Sequence, residues 1–288
     1  MREYVLLTDS CCDLGPEVAR RLGLYVLPLT FSIEGREYYN YLDGRDMEPQ
    51  AFYEKIRAGR LGTTSAISVG VFGAAMEQIL CAGRDVLCIA FSSALSATYQ
   101  NASIAAQDAR AAHPEGKVLV VDSRAASLGQ GLLVTLAARQ KEQGRTIEEV
   151  AAYVEETRDH LCHWFTVDDL HHLKRGGRVS AAAAFLGTMI QMKPVLHVDD
   201  EGRLIPVSKV RGRRASLRAL LNKMSELATN VDTVYISHGD CLEEAEDLAA
   251  AVKERFGAKE VYINFVGPVI GNHSGPGTMA LFFLGKKK

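Results

Sequence analysis

The sequence predicts an α/β fold with two domains: an N-terminal three-layer α/β/α domain with a largely parallel sheet, and a C-terminal α+β domain. Apolar runs of strand length alternate with helical segments through the first half of the chain, as in sheets covered on both faces. This rhythm changes beyond about Arg158. At about 100 to 200 residues per domain, a chain of 288 residues is long enough for two. We place the domains at residues 1–160 and 161–288.

Each N-terminal element rests on a local pattern of apolar and polar residues. Apolar runs predict strands at Val5–Thr8, Tyr25–Leu29, Asp85–Phe91 and Lys117–Asp122. Helical periodicity predicts helices at Pro16–Leu22, which opens near Asp13, at Ala97–Ala112 and at Ala125–Gln143. Residues 61–80 are expected to form a loop region that packs with either domain.

The C-terminal part combines a hairpin with alternating strands and helices. Asp199-Asp200-Glu201-Gly202 separates two alternating runs, and Asp and Gly supply the turn geometry of a β-hairpin. The predicted strands are Leu161–Val167, Lys193–Val198, Leu204–Val210, Thr233–Ser237 and Glu260–Phe265. The predicted helices are Asp168–Lys174, which ends at the breaker Gly176-Gly177, Ala181–Gln191, Arg213–Ala228 and Leu242–Phe256.

Composition and charge exclude several classes of protein. The 33 basic and 35 acidic side chains give a net charge of −2, which argues against general nucleic-acid binding or a purely electrostatic hold on membranes. No apolar run reaches the ~18 residues of a membrane span, and the first apolar stretch is too short for a signal peptide. The six cysteines include no CxxC spacing, so we expect a reducing cytoplasm.

Hydroxyl side chains cluster in four segments of the chain. Three lie at predicted strand ends and one on a predicted loop: Thr8-Asp9-Ser10, Ser92-Ser93 with Ser96 and Thr98, Asp122-Ser123, and Thr63-Thr64-Ser65. Taken singly, such residues are typical of helix N-caps. Ligands of open α/β sheets bind beyond the carboxyl ends of strands, so several such segments together favour an anion site.

The segment from Gly267 to Gly277 contains four glycines and two prolines and is predicted to be a loop. It exposes an imidazole, His273, beside the hydroxyl of Ser274, and its glycines would let backbone amides approach a ligand. A purely structural turn is an equally good interpretation. The segment is not a G-x-S-x-G nucleophile elbow, because His273 occupies the serine position.

A basic segment and a group of histidines have weaker functional interpretations. Six basic residues and no acidic ones lie between positions 203 and 218: Arg203, Lys209, Arg211, Arg213, Arg214 and Arg218. They form either a solvated face or a docking patch for an acidic or phosphorylated partner. The spacing of His160, Cys162, His163, His171 and His172 matches no standard zinc site, so no metal is predicted.

Five ordered stretches together resemble the DegV family of bacterial fatty-acid-binding proteins. They are Thr8-Asp9-Ser10 with Asp13-Leu14, Thr64-Ser65 with Ser68, Ser92 to Gln100, Leu173 to Ser180, and Gly267 to Gly277. Lys193-Pro194 and Lys209-Val210-Arg211 add weaker support. Because these stretches span nearly the whole chain in the family's order, the resemblance is specific.

The resemblance implies a single long-chain fatty acid, bound without a further cofactor in a tunnel between two domains. It places carboxylate-binding groups at Thr64, Ser65, Ser96, His273 and Ser274, and Arg211, Arg213 and Arg214 near the head group or a docked partner. Residues Ala181 to Met189 would line the acyl tail, although tight packing on a sheet fits that helix equally well.

The resemblance also implies a role for the bound lipid. A separate ATP-dependent fatty acid kinase would phosphorylate the presented carboxylate to an acyl phosphate for phospholipid synthesis. Transient membrane contact would serve lipid exchange, and no nucleic acid would be bound. The chain itself lacks a phosphate-binding loop of the G-x-x-x-x-G-K-[ST] type, so it should not hydrolyse ATP alone. The resemblance implies a non-catalytic lipid-binding partner of the kinase rather than an enzyme.

Two departures from the family pattern and one competing function remain open. Ala97 replaces a usual glycine beside Ser96, and Ala66-Ile67 replaces Gln-Pro after Ser65. Both changes bear on the geometry around the carboxylate. The alternative function is a small-molecule ester hydrolase that uses Ser96 or Ser274 with His273.

Overall fold

The computed structural model describes residues 2–179 and 191–286. Within them the strands are β1 (Tyr4–Asp9), β2 (Tyr25–Leu27), β3 (Thr30–Ile33), β4 (Arg36–Tyr39), β5 (Gly62–Ser65), β6 (Asp85–Ala90), β7 (Val118–Asp122), β8 (Leu161–Thr166), β9 (Met192–Val198), β10 (Leu204–Arg211), β11 (Ala228–His238), β12 (Glu260–Phe265) and β13 (Met279–Gly285).

The helices of the described residues are α1 (Pro16–Arg21), α2 (Pro49–Arg57), α3 (Val69–Cys81), α4 (Thr98–Ala112), α5 (Leu128–Glu142), α6 (Ile147–Arg158), α7 (His171–Arg175), α8 (Arg213–Leu227), α9 (Leu242–Phe256) and α10 (Pro268–Ser274). None of them is long and apolar enough to cross a membrane. The predicted helix Ala181–Gln191 lies, except for its last residue, outside the described residues.

The first sheet has the strand order β2-β1-β6-β7, and all its pairs are parallel. Successive residues of β1 point to opposite faces: Val5 and Leu7 pack with α3 and α4, whereas Tyr4 and Leu6 pack with α5 and α6. This confirms the predicted three-layer α/β/α arrangement.

The second sheet is mixed, with the order β10-β9-β8-β13-β11-β12. Strands β11 and β12 are parallel, and the other neighbours are antiparallel. The predicted hairpin is confirmed, with Leu204 paired to Val198. Helices α8 and α9 cover one face of this sheet through residues such as Leu220 and Leu248, which gives the α+β class predicted for this part.

Helix α5 lies between the two sheets. Leu132 and Leu133 pack against strands of the second sheet, whereas Val134 and Ala137 pack against the first. From Leu128 to Ala138 nearly every residue of α5 is buried, as expected of a helix that is covered on both sides. Gly129 permits the close approach, because a Cβ there would lie 2.5 Å from Cε1 of His163.

A third, three-stranded antiparallel sheet of order β4-β3-β5 corrects the prediction for residues 61–80. Thr63-Thr64-Ser65, predicted as a loop, belongs to β5, where Thr64 pairs with Phe31. The β-branched threonines suit a strand, and buried Phe31 and Ile33 of β3 anchor the sheet in the core. Most of the remaining predicted loop is helix α3, which Ser68 caps by accepting from the Val71 amide.

The predicted loop Gly267–Gly277 contains helix α10, so that prediction was wrong in its centre. Pro268 occupies the first turn, where its missing N–H costs no hydrogen bond, and the helix ends before Gly275 at φ +80°. Gly271 lets the helix pack against Tyr53, whose hydroxyl would lie 2.6 Å from an added Cβ.

Helix α1 begins at Pro16, as predicted, but its N-cap is Gly15, which makes no side-chain capping hydrogen bond. Asp13 is buried at φ +50° and does not cap it.

Candidate functional site

A cavity of about 250 Å³ lies where the ends of the first sheet meet the second sheet. Its wall includes Leu29, Phe91 and Ala126, which follow β2, β6 and β7, together with inward-facing residues of β8, β11 and β13. The first sheet reverses its strand order between β1 and β6, and such switch points commonly bind ligands. Most of the wall is apolar: Leu29, Phe91, Leu95, Ala126, Phe165, Leu173, Val198, Leu204, Val266, Val269, Ile270, Ala280 and Phe282.

One set of polar side chains in the wall, the polar cluster, contains every carboxylate-binding residue predicted from the sequence. It comprises Thr64, Ser65, Ser96, Arg178, His273 and Ser274. Strand β5 contributes the first two residues, the turn before α4 contributes Ser96, and α10 contributes His273 and Ser274. The residues after α7 contribute Arg178. The fold therefore brings four segments together, and Thr64 and His273 are 209 residues apart in the chain. That they bind a carboxylate remains a prediction.

The imidazole of His273 is anchored on one side only. Its Nε2 lies 2.8 Å from the Thr64 hydroxyl oxygen. Its Nδ1 is buried without a hydrogen-bond partner among the described residues, as is the hydroxyl oxygen of the neighbouring Ser274. Buried polar atoms without partners are uncommon, so both groups are free to hydrogen-bond a ligand.

The pKa of His273 is lowered to about 4, first by burial and then by the charges of Arg178 and Arg175. The ring is therefore neutral near pH 7. A neutral ring whose Nε2 accepts from Thr64 keeps its proton on Nδ1, which is then available as a donor.

Arg178 brings a positive charge to the cavity that no carboxylate within the described residues neutralises at ion-pair distance. Its Nε donates to the Leu95 carbonyl at 3.3 Å, and its Nη1 donates to the Gly176 carbonyl at 2.5 Å. These bonds hold the half-buried guanidinium beside the Ser96 turn. The sequence analysis quoted Arg178 within a motif but did not select it. Arg178 directly follows the Gly176-Gly177 breaker, and this breaker was the sequence feature that could have drawn attention to it.

Gly176 is needed for this arrangement. A Cβ at position 176 would come within 2.2 Å of His273 Nδ1. The end of α7 can approach α10 only because glycine stands there, and this approach places Arg178 next to the imidazole.

The Ser96 turn tolerates the departure from the family pattern at Ala97. Ala97 has φ −70° and ψ 0°, a conformation open to any residue, so glycine's freedom is not required. Ser96 Oγ lies 2.8 Å from Thr98 Oγ1 and accepts from the Thr98 amide at 3.2 Å. At the second departure, Ile67 is buried and its carbonyl accepts from Asn101 Nδ2 at 2.8 Å.

A second set of polar side chains, the serine–aspartate cluster, also reaches the cavity wall. Ser127 and Ser237 line the cavity, and Asp13 lies behind them. The Ser127 hydroxyl donates to Asp13 Oδ2 at 2.5 Å and lies 3.0 Å from the Ser237 hydroxyl. Burial raises the pKa of Asp13 to about 7. Sequence reasoning missed Ser127 and Ser237 because about 110 residues separate them and no motif joins them.

The predicted basic residues Arg211, Arg213 and Arg214 do not line the cavity. Arg213 is mostly buried, donates to Glu244 at 2.8 Å and lies 3.7 Å from Asp168. Arg211 and Arg214 are exposed at the end of β10 and the start of α8. Arg213 therefore has a structural role in the ion pair, whereas the other two arginines present charge to solvent.

The geometry does not support the ester hydrolase alternative. Nε2 of His273 contacts Thr64 rather than Ser96 or Ser274, and no acidic residue in the described ranges orients Nδ1. A serine nucleophile needs a base in hydrogen-bond contact and a group that orients that base. With a pKa of about 4, the imidazole would also be a weak base.

The fold and cavity define an α/β protein with two principal sheets and an apolar chamber that carries one cationic, hydroxyl-rich patch. The family model described as "Uncharacterised protein, DegV family" matches residues 4–286. A DegV domain-containing protein of Clostridium perfringens is 42% identical, with 100% of this chain and 99% of the relative covered. The chain belongs to the DegV family.

Solved structures show the same fold. A DegV family protein from Thermus thermophilus, described by its fatty acid binding, superposes with a TM-score of 0.86 at 34% identity, covering 99% of this chain and 100% of that one. The DegV protein of Bacillus subtilis, described as a fatty acid binding protein, gives a TM-score of 0.85 at 27% identity over 99% and 100%.

Proposed function

We propose that this protein binds one long-chain fatty acid in the cavity, with the carboxylate at the polar cluster and the acyl chain along the apolar wall. The observation that carries the proposal is the guanidinium of Arg178, which has no carboxylate at ion-pair distance within the described residues. It lies beside hydrogen-bonding groups without partners, at the wall of a largely apolar chamber. A buried carboxylate is costly unless charge and donors compensate it, and this cluster supplies both.

The relatives support the same ligand class. The Thermus thermophilus and Bacillus subtilis proteins are described as binding fatty acids. The residues predicted to line the acyl tail, Ala181 to Met189, lie outside the described ranges. With the division at residue 160 that the sequence predicts, the ligand would lie between the two domains.

Lipid extraction tests this function directly. We expect organic extracts of purified protein to contain about one fatty acid per chain, detected by mass spectrometry of the extract and of the intact complex. Delipidated protein should take up added palmitate or oleate at the same ratio. Absence of lipid from the extracts, together with no uptake of either acid, would reject the proposal.

We further propose that the protein is not itself an enzyme and presents the carboxylate to a separate fatty acid kinase in the cytoplasm, with transient membrane contact for lipid exchange. The family resemblance supports the kinase, and the exposed Arg211 and Arg214 provide a charged surface for docking. Arg213 is not part of this surface, because its guanidinium already forms ion pairs with Glu244 and Asp168.

A reconstituted reaction with kinase, ATP and labelled fatty acid tests presentation separately from binding. The double variant Arg211→Glu, Arg214→Glu should slow acyl phosphate formation about tenfold or more while fatty-acid affinity is unchanged. Lys253→Glu, an exposed charge reversal on α9, is the matched control and should keep the normal rate. Acyl phosphate formed without any kinase, or a double variant as fast as the control, would contradict this part.

A further inference from the structure

Outside the cavity, three side chains of metal-binding type meet on the surface. Glu77 and Cys81 belong to the last turns of α3, and His113 immediately follows α4. Residues four apart on a helix share one face, so Glu77 and Cys81 both point towards the imidazole. Packing of α3 on α4, through residues such as Met76 and Ala106, brings the three together.

We propose that Glu77, Cys81 and His113 bind one zinc ion that ties the C-terminal ends of α3 and α4 together. One ligand atom from each residue lies within 4.8 Å of the others. Glu77 Oε2 is 2.7 Å from His113 Nε2, and Glu77 Oε1 is 3.3 Å from Cys81 Sγ. Zinc–ligand bonds of about 2.0 to 2.3 Å in a tetrahedral site need donor atoms about this far apart, so small side-chain rotations suffice.

The donor chemistry favours zinc over magnesium or calcium. A thiolate and an imidazole are soft or borderline ligands that select zinc-type ions, whereas magnesium and calcium require an oxygen shell. Three protein ligands leave the fourth tetrahedral position to water. The site is accessible, since Glu77 and Cys81 are exposed and His113 is partly exposed.

Glu115 completes the arrangement on the far side of the imidazole. Its Oε1 lies 3.5 Å from His113 Nδ1, while Nε2 faces Glu77. Histidines that bind metal commonly give their other N–H to a carboxylate, which fixes the ring orientation. Gly116 keeps this turn against α3, because a Cβ there would lie 2.5 Å from Leu80 Cδ2.

The sequence analysis sought metal ligands only among His160, Cys162, His163, His171 and His172, which do not assemble as a ligand group within the described residues. The new set escaped because 32 residues separate Cys81 from His113. Only the packing of the two helices, which the sequence does not state, joins them.

Zinc titration of the full-length protein tests the site. In a phosphine reductant and after removal of metal, wild type should bind one Zn²⁺ per chain, measured by calorimetry and by native mass spectrometry. Cys81→Ser and His113→Ala should each lower the affinity at least tenfold, and Glu115→Gln should lower it by roughly tenfold. The control His171→Ala removes an exposed histidine elsewhere and should change nothing.

Two further readouts separate this site from general surface binding. Zinc should protect Cys81 from alkylation by iodoacetamide, and it should raise the thermal midpoint of wild type but not of Cys81→Ser. Fatty-acid uptake by the variants should stay normal, which shows that they are folded. Zinc binding that is unchanged in Cys81→Ser and His113→Ala, no binding at micromolar zinc, or one zinc shared by two chains would overturn the proposal.

Discussion

The two polar clusters in the cavity wall differ in how their hydrogen-bonding groups are used. In the serine–aspartate cluster, Ser127 donates to Asp13 and contacts Ser237, so the groups satisfy one another. In the polar cluster, His273 Nδ1 and Ser274 Oγ have no hydrogen-bond partner within the described part of the chain. No carboxylate of the same residues lies at ion-pair distance from Arg178. One cluster is closed on itself, and the other has capacity for a ligand.

The two clusters also differ in the kind of ionisable group that each contains. Burial raises the pKa of Asp13 to about 7, so this carboxyl is readily protonated and needs no cation. Arg178 cannot lose its charge at ordinary pH and therefore needs an anion or solvent. A half-buried positive charge without a carboxylate among the described residues, rather than the number of hydroxyls, identifies the end of the cavity that should hold a carboxylate.

The largest expected effect comes from removing that charge. Arg178→Gln should weaken fatty-acid binding by ~2 to 3 kcal/mol, roughly 30- to 150-fold, because it removes a charged hydrogen-bond donor to the carboxylate. Displacement of a fluorescent fatty acid measures the change. Affinity for the corresponding fatty alcohol should be nearly unaffected, and Lys253→Gln, which removes an exposed charge on α9, is the control. Equal losses for acid and alcohol would indicate a packing defect instead.

A smaller effect should follow from removing one neutral donor of the polar cluster. His273→Ala and Ser96→Ala should each cost about 1.5 kcal/mol, roughly tenfold in affinity. Ser237→Ala, in the serine–aspartate cluster, should change affinity by less than about threefold. The same displacement assay ranks the three variants. If Ser237→Ala weakened binding more than His273→Ala and Ser96→Ala, the carboxylate would bind at the serine–aspartate cluster instead of the polar cluster.

Asp13→Asn should have the smallest effect on fatty-acid affinity, less than about threefold. Its main effect should be on the pH dependence of the free energy of unfolding. The folded pKa of about 7 exceeds the unfolded value of 3.8. The contribution of Asp13 to the free energy of unfolding is therefore fully present below pH 3.8 and is lost as pH rises towards 7.

Urea unfolding at several pH values measures this difference. Relative to Asp13→Asn, wild type should become less stable between pH 4 and pH 7. His273, whose folded pKa of about 4 lies below its ordinary 6.5, acts in the opposite direction and is common to both proteins. A constant difference between the two proteins across this range would show that Asp13 does not titrate in it.

Much of the fold was predictable where local pattern and tertiary environment agree. The predicted bounds of α9 and β12 are those observed, because α9 has an amphipathic pattern and ends at Gly257 with φ +69°. Strand β13 was not predicted. It lies between β8 and β11 and is buried along most of its length, so its apolar run Met279–Leu284 lacks the alternation that marks a half-buried strand. Strand β4 is short and largely exposed, and no apolar run marked it.

The candidate site was predictable in its residue types but not in its charge balance. Motif order pointed to Thr64, Ser65, Ser96, His273 and Ser274, and these residues line one cavity. That Arg213 is paired with Glu244 while Arg178 has no carboxylate depends on contacts across 31 residues or more, which spacing does not reveal. Sequence patterns select the polar groups, and packing decides which of them remain available.

A co-crystal structure with a long-chain fatty acid tests the central claim most directly. We predict that the carboxylate lies within hydrogen-bond distance of Ser96 and within ion-pair distance of Arg178, with the acyl chain against Phe165 and Phe282. The serine–aspartate cluster should keep its internal hydrogen bonds. A carboxylate bonded to Ser127 and Ser237, with Arg178 left without an anion, would contradict the account.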